Sequence, residues 1–194
     1  MKEKAMFTAI NLFIGTALFH TYGGGGILAG FLHPLLGLDH LLAMLAIGFL
    51  SAQIGGRSIW SVPVAFVGMM ALGAILGIVG IEIPFVEYGI TGSVLILGIA
   101  ILAYRGLPEW TGLMLAAIFG FFHGHAHGTE IPELTSTAGL LIAYIAGFLV
   151  ATAGLHVIGA LVGIMAIRSE RGKMAVRAFG GLIAVIGVIL ILQV

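Results

Sequence analysis

Charge is scarce in this chain and cysteine is missing altogether. Of 194 residues only 8% are Asp, Glu, Lys or Arg, against roughly 25% in a soluble globular domain, which excludes an ordinary water-facing surface. The lack of cysteine removes disulfide frameworks, thiolate nucleophiles, Cys-rich zinc sites and iron–sulfur ligation in one step. It also leaves the redox compartment unread. Eight Lys/Arg balance eight Asp/Glu, so there is no basic surplus to suggest a nucleic-acid partner. No P-loop occurs, and ATP hydrolysis through that motif is excluded. Alternating strand patterning of the membrane-barrel kind is absent too.

What remains is a chain that is 60% hydrophobic and carries seven histidines, the strong neutral metal ligands near pH 7. Apolar runs fall at about 5–21, 27–50, 59–80, 88–104, 110–128, 138–167 and 174–193. Each approaches the roughly 20 residues a helix needs to cross hydrocarbon. The expected fold is all-α: a polytopic membrane bundle of six core helices, residues 22–194 forming one domain, preceded by a segment 1–21 that is signal-like or a seventh helix. The run at 138–167 exceeds a spanning length and should tilt or break near Gly147 or Gly154.

With seven crossings, Lys2, Lys4, Arg57, Arg105, Arg168, Arg171, Lys173 and Arg177 fall on one side, which should be the cytoplasm. Glu82, Glu87, Glu130 and Glu133 fall on the other. The first run, two lysines and then an apolar stretch ending in "TALFHTYGGGG", has the outline of a secretory signal. Ala17, three residues before His20, suits cleavage there; Phe19 does not.

Two stretches place ionisable groups inside apolar runs. "HPLLGLDH" holds His33, Asp39 and His40, and an ionisable side chain at helix centre costs about 2.5–3.5 kcal/mol on insertion scales, so such groups normally face a polar cavity. In a regular helix His33 and His40 share a face, with Asp39 about 100° away. Asp39 should then orient an imidazole from a neighbouring helix or exploit a local distortion. Pro34 offers one, either as an interior kink or as the first residue of a helix starting there.

The second stretch, "FHGHAHGTE", places His123, His127 and Glu130 at i, i+4, i+7 along one stripe, and two imidazoles one turn apart can hold one divalent ion. His125 points away, toward an interface. Gly120, Gly124 and Gly128 form a neighbouring stripe that lets another helix approach closely. If the two helices run in opposite directions, His33 and Glu130 lie near the outer mouth and His40 and His123 about 10 Å deeper, a two-level ladder of N and O ligands. His156 stands alone and is expected to be a hydrogen-bonded packing residue. Imidazoles mixed with carboxylates, without thiolate, disfavour Cu(I) and leave Ni(II), Co(II) and Zn(II) open.

The same two stretches carry a resemblance. The chain resembles the HupE/UreJ family of small bacterial membrane proteins, whose hallmarks are His-x5-Asp-His in an early helix and Phe-His-Gly-x-Ala-His-Gly-x-Glu in a later one; residues 33–40 and 122–130 match at every defined position. The resemblance implies nickel or cobalt uptake across the inner membrane, with His33, Asp39, His40, His123, His127 and Glu130 as functional residues. His20 resembles the family's histidine after the signal segment, while Phe19 departs from the small residue expected there. Expected partners are a divalent metal ion and the bilayer, with a homo-oligomer left open and no prosthetic group. Two other functions compete with the permease: an intramembrane Zn-dependent hydrolase, weakened by the lack of a His-Glu-x-x-His stretch, and a sensor or storage subunit.

Overall fold

The computed structural model describes residues 26–103, 106–134 and 137–194, with 131–134 by backbone alone. The first apolar run, the cleavage point, His20, Lys2, Lys4 and Arg105 lie outside the described residues. Seven helices occur among those described: α1 (Ile27–Leu36), α2 (Leu38–Ile54), α3 (Ser58–Ile78), α4 (Val86–Ala103), α5 (Glu109–Leu134), α6 (Ala138–Ala166) and α7 (Glu170–Ile191). Thr137 and Ser169 start α6 and α7 by accepting the N–H groups of Leu140 and Gly172 on their hydroxyls. Gly55 and Gly80, at φ 78° and 79°, turn the chain out of α2 and α3.

The chain is a multi-pass helical membrane protein. Among the described residues α3, α4, α6 and α7 are long and apolar enough to cross a membrane, and the α1–α2 pair adds a fifth span if counted as one broken crossing. α5 has 26 residues, and its histidines and carboxylates dilute its apolar content. Large apolar side chains such as Trp60, Val64, Ile142 and Met165 point outward, as lipid-facing residues do.

α2 is the axis of the bundle. Leu42, Ala43, Met44, Ala46, Ile47 and Leu50 are all buried, so this helix is apolar on every side because protein surrounds it. The other helices dock through glycine. A methyl group at Gly120, Gly124 or Gly128 of α5 would collide with the carbonyl oxygen of Phe66, Met70 or Ala74 on α3, and one at Gly73 of α3 with that of Phe121. The stripe expected from sequence therefore lies backbone to backbone against α3. Gly98, Gly180 and Gly187 bring α4 and α7 together; Gly48 and Gly159 do so for α2 and α6; Gly30 and Gly147 seat α1 on α6.

One expectation is corrected and another is narrowed. Residues 27–50 are not one straight helix: α1 and α2 meet at a bend of 83°. The break falls at Gly37, at φ −81° and ψ 114°, while Pro34 stays inside α1 and leaves one carbonyl of that turn without its N–H partner. Of the two alternatives for 138–167, the break at Gly147 or Gly154 does not occur, since α6 is continuous over 29 residues, and tilt remains. Gly147 serves instead as the seat of α1.

The candidate metal centre

The bend at Gly37 decides the geometry. It folds His33, in the last turn of α1, back toward His40, in the first turn of α2, and their ring centroids lie 6.2 Å apart. On a straight helix a seven-residue separation is about 10 Å of axis. The α1–α2 side of the two-level ladder is thus compressed, while His123 and Glu130 keep their seven-residue separation on the continuous α5. His127 stands between the others, its ring centroid 4.6 Å from His33 and 4.4 Å from His40. His40 is also 4.9 Å from His123. The pairing expected along the helices is found, with His33 beside Glu130 and His40 beside His123, but the expected depth between His33 and His40 is not.

Hydrogen bonds fix which ring atoms face the cluster. His123 Nδ1 lies 2.9 Å from the Phe119 carbonyl; a carbonyl only accepts, so Nδ1–H donates and Nε2 keeps a lone pair. His40 Nδ1 lies 2.7 Å from Asp39 Oδ1; the carboxylate accepts the Nδ1–H, which leaves the lone pair on Nε2. Both Nε2 atoms are buried without a hydrogen-bond partner, as are both ring nitrogens of His127. Buried polar atoms are rarely left so, and a Lewis acid is one partner that would satisfy them together.

Asp39 does not orient an imidazole from another helix. It serves its own sequence neighbour, its Oδ1 also accepting the His40 backbone N–H at 2.8 Å. That contact exists because the break opens a new helix N-terminus at Leu38, where a carboxylate meets unsatisfied N–H groups and a favourable dipole. The insertion cost of Asp39 is offset locally.

Glu130 closes the mouth. Its Oε2 lies 3.2 Å from His33 Nε2 and 3.9 Å from His127 Nδ1. Half of the Glu130 side chain is exposed, whereas His127 is 1% exposed. His33, His127 and Glu130 each offer a ligand atom within 4.8 Å of the other two, the spacing needed for three donors to share one ion. Tyr144 and Phe148 of α6, not singled out from the sequence, wall the cluster, their ring centroids 5.9 Å from His33 and 4.2 Å from His127 respectively. Their four-residue spacing, continued by Thr152 and His156, was the available signal.

His125 and His156 behave differently from expectation. His125 is buried, not interfacial, and its Nε2–H donates to the Ile81 carbonyl at 2.7 Å, tethering the α3–α4 connection. A cavity of about 590 Å³ adjoins it, lined by Glu82, Glu87 and Glu130 among others. His156 is buried in α6, but neither ring nitrogen has a hydrogen-bond partner.

Comparison with known proteins agrees with the motifs. The family model described as HupE / UreJ protein matches residues 8–190. The chain is similar to Protein HupE of Rhizobium leguminosarum bv. viciae, at 38% identity over 195 residues, covering 98% of this chain and 99% of that protein. No solved structure gives a significant match. The chain belongs to the HupE/UreJ family of membrane proteins, transporters associated with nickel and cobalt uptake and not enzymes.

Proposed function

We propose that this chain is an inner-membrane permease that draws Ni(II) or Co(II) inward through the histidine cluster, with the Glu130 end open to the periplasm and the ends bearing Arg57 and Arg168 in the cytoplasm. The observation that carries the reading is the convergence of His33, His127 and Glu130 within 4.8 Å, beside two further imidazoles whose Nε2 atoms are buried and unpaired. In this reading Glu130 and His33 take the ion from water, His127 passes it on, and His40 and His123 receive it. Asp39 acts through His40, holding its tautomer and raising its basicity.

Conduction favours this arrangement over a closed cage. An ion must bind well enough to shed water and weakly enough to leave, so neighbouring partial sites serve better than one saturated site. A break at membrane depth, as between α1 and α2, is tolerated where backbone is buried in protein or lines a polar cavity. Nitrogen and carboxylate donors without thiolate suit Ni(II), Co(II) and Zn(II).

The test is metal accumulation by cells carrying the unaltered, His33→Ala or His123→Ala chain at matched membrane levels. Strong loss of radiolabelled nickel or cobalt uptake in both variants is expected. Uptake equal to that of the unaltered chain would remove the cluster from the transport path.

A further inference from the structure

Below the four-histidine cluster, α6 carries two buried polar groups that packing does not explain. Thr152 is fully buried and its Oγ1 has no hydrogen-bond partner. Buried hydroxyls in helices normally turn back to a carbonyl of their own helix. The buried Ser51, Thr91 and Ser93 all do so here, at 2.6–2.8 Å. Thr152 does not. One turn further on, His156 is 2% exposed with both ring nitrogens unpartnered, whereas His123 and His125 each anchor one nitrogen on a backbone carbonyl.

These groups lie on a line that leads away from the cluster. The Phe148 ring touches His127, with centroids 4.2 Å apart. His156 follows Phe148 by eight positions on an unbroken helix, about 12 Å along the axis, in the direction of Arg168. A second connection runs through Phe66, whose ring is 5.6 Å from that of His123 and 5.1 Å from that of His156. The groove of about 480 Å³ beside His156, between α3 and α6, is otherwise walled among the described residues by apolar side chains, the outward-facing Trp60 and Val64 included, and none of these supplies the missing partner.

We infer that Thr152 and His156 form a second, inner station for the divalent cation, occupied after it leaves the four-histidine cluster and before it reaches the cytoplasmic end. One imidazole nitrogen and one hydroxyl oxygen, with water completing the shell, make a weak site. Weakness is what release requires. The inference rests on the permease reading and adds a step to it.

The test uses the full chain in two measurements: Ni(II) titration of the purified protein, which reads the cluster, and Ni(II) flux into liposomes containing a metal-sensitive dye. For His156→Leu, flux should fall about tenfold while the titrated affinity stays within about twofold, because the inner station limits passage and not capture. Thr152→Val, nearly isosteric, should lower flux about threefold by the same logic and decides the matter if His156→Leu does not fold. Native flux in both variants would mean that these atoms hold only water, and a parallel loss of titrated affinity would mean that they merely support the cluster; either result overturns the station. Flux that is abolished by His127→Ala yet unchanged in His156→Leu would sink the station and leave the permease reading standing. Absence of flux in the unaltered chain would end both.

Discussion

Nε2 of His33 lies 3.2 Å from Oε2 of Glu130, and through this one contact the short helix α1 and the far end of α5 meet at the exposed mouth of the cluster. A carboxylate here supplies both a donor atom and a negative charge beside the imidazoles of His33 and His127. Glu130→Gln keeps the shape and removes the charge. Nickel affinity of the purified protein should fall at least about tenfold, the scale on which metal sites respond to lost partners; calorimetric titration reads it, and an unchanged affinity would remove Glu130 from the ligand set.

Asp39 is a positioning residue for His40, at 2.7 Å from its Nδ1. Asp39→Asn should weaken metal binding by about 10–100-fold, the range seen when a carboxylate behind a ligating imidazole is lost, with helix content by circular dichroism unchanged. Retained affinity would show that the tautomer of His40 is set without the carboxylate.

Gly37 leaves no room for a side chain beside that pair. A Cβ there would sit 3.0 Å from His40 Nδ1 and 3.1 Å from Asp39 Oδ1, so one of the two must shift by a few tenths of an ångström. Gly37→Ala should reduce uptake several-fold while leaving protein level and unfolding midpoint close to native, since the strain falls on a site and not on the core. Native uptake would show that the pair can yield without consequence.

The glycine stripe of α5 should be felt in stability. Gly124→Ala forces apart α3 and α5 at the Met70 carbonyl and should destabilise the protein by about 1–3 kcal/mol, the usual penalty for overpacking. Gly92→Ala, where no atom lies within 4 Å, is the control and should be neutral or stabilising by up to about 1 kcal/mol from helix propensity. Denaturation in detergent compares them; equal midpoints would contradict the interlocked backbones.

The α5 half of the site was legible because an unbroken helix turns spacing directly into geometry: His123, His127 and Glu130 share a stripe, and Gly120, Gly124 and Gly128 mark its docking face. The α1–α2 half was not. Pro34 was the conspicuous breaker, yet the chain turns at Gly37, one glycine among 31, because the packing of α1 across α6 at Gly30 and Gly147 selects the bend. The Asp39–His40 bond was hidden for the same reason, since it needs a helix start that periodicity does not announce. His156 read as a packing residue because a single sequence shows a side chain's type and position but not whether its nitrogens find partners.

The glycine-seated interfaces also determine what is able to move. α3 and α5 mesh backbone to backbone, as do α1 and α2 with α6, so each set behaves as a stiff jaw. His33 and His40 belong to one jaw, and His123, His127 and Glu130 to the other. A cation held between them would act as the rivet across the seam, and its arrival and departure would tighten and loosen the join of the two jaws.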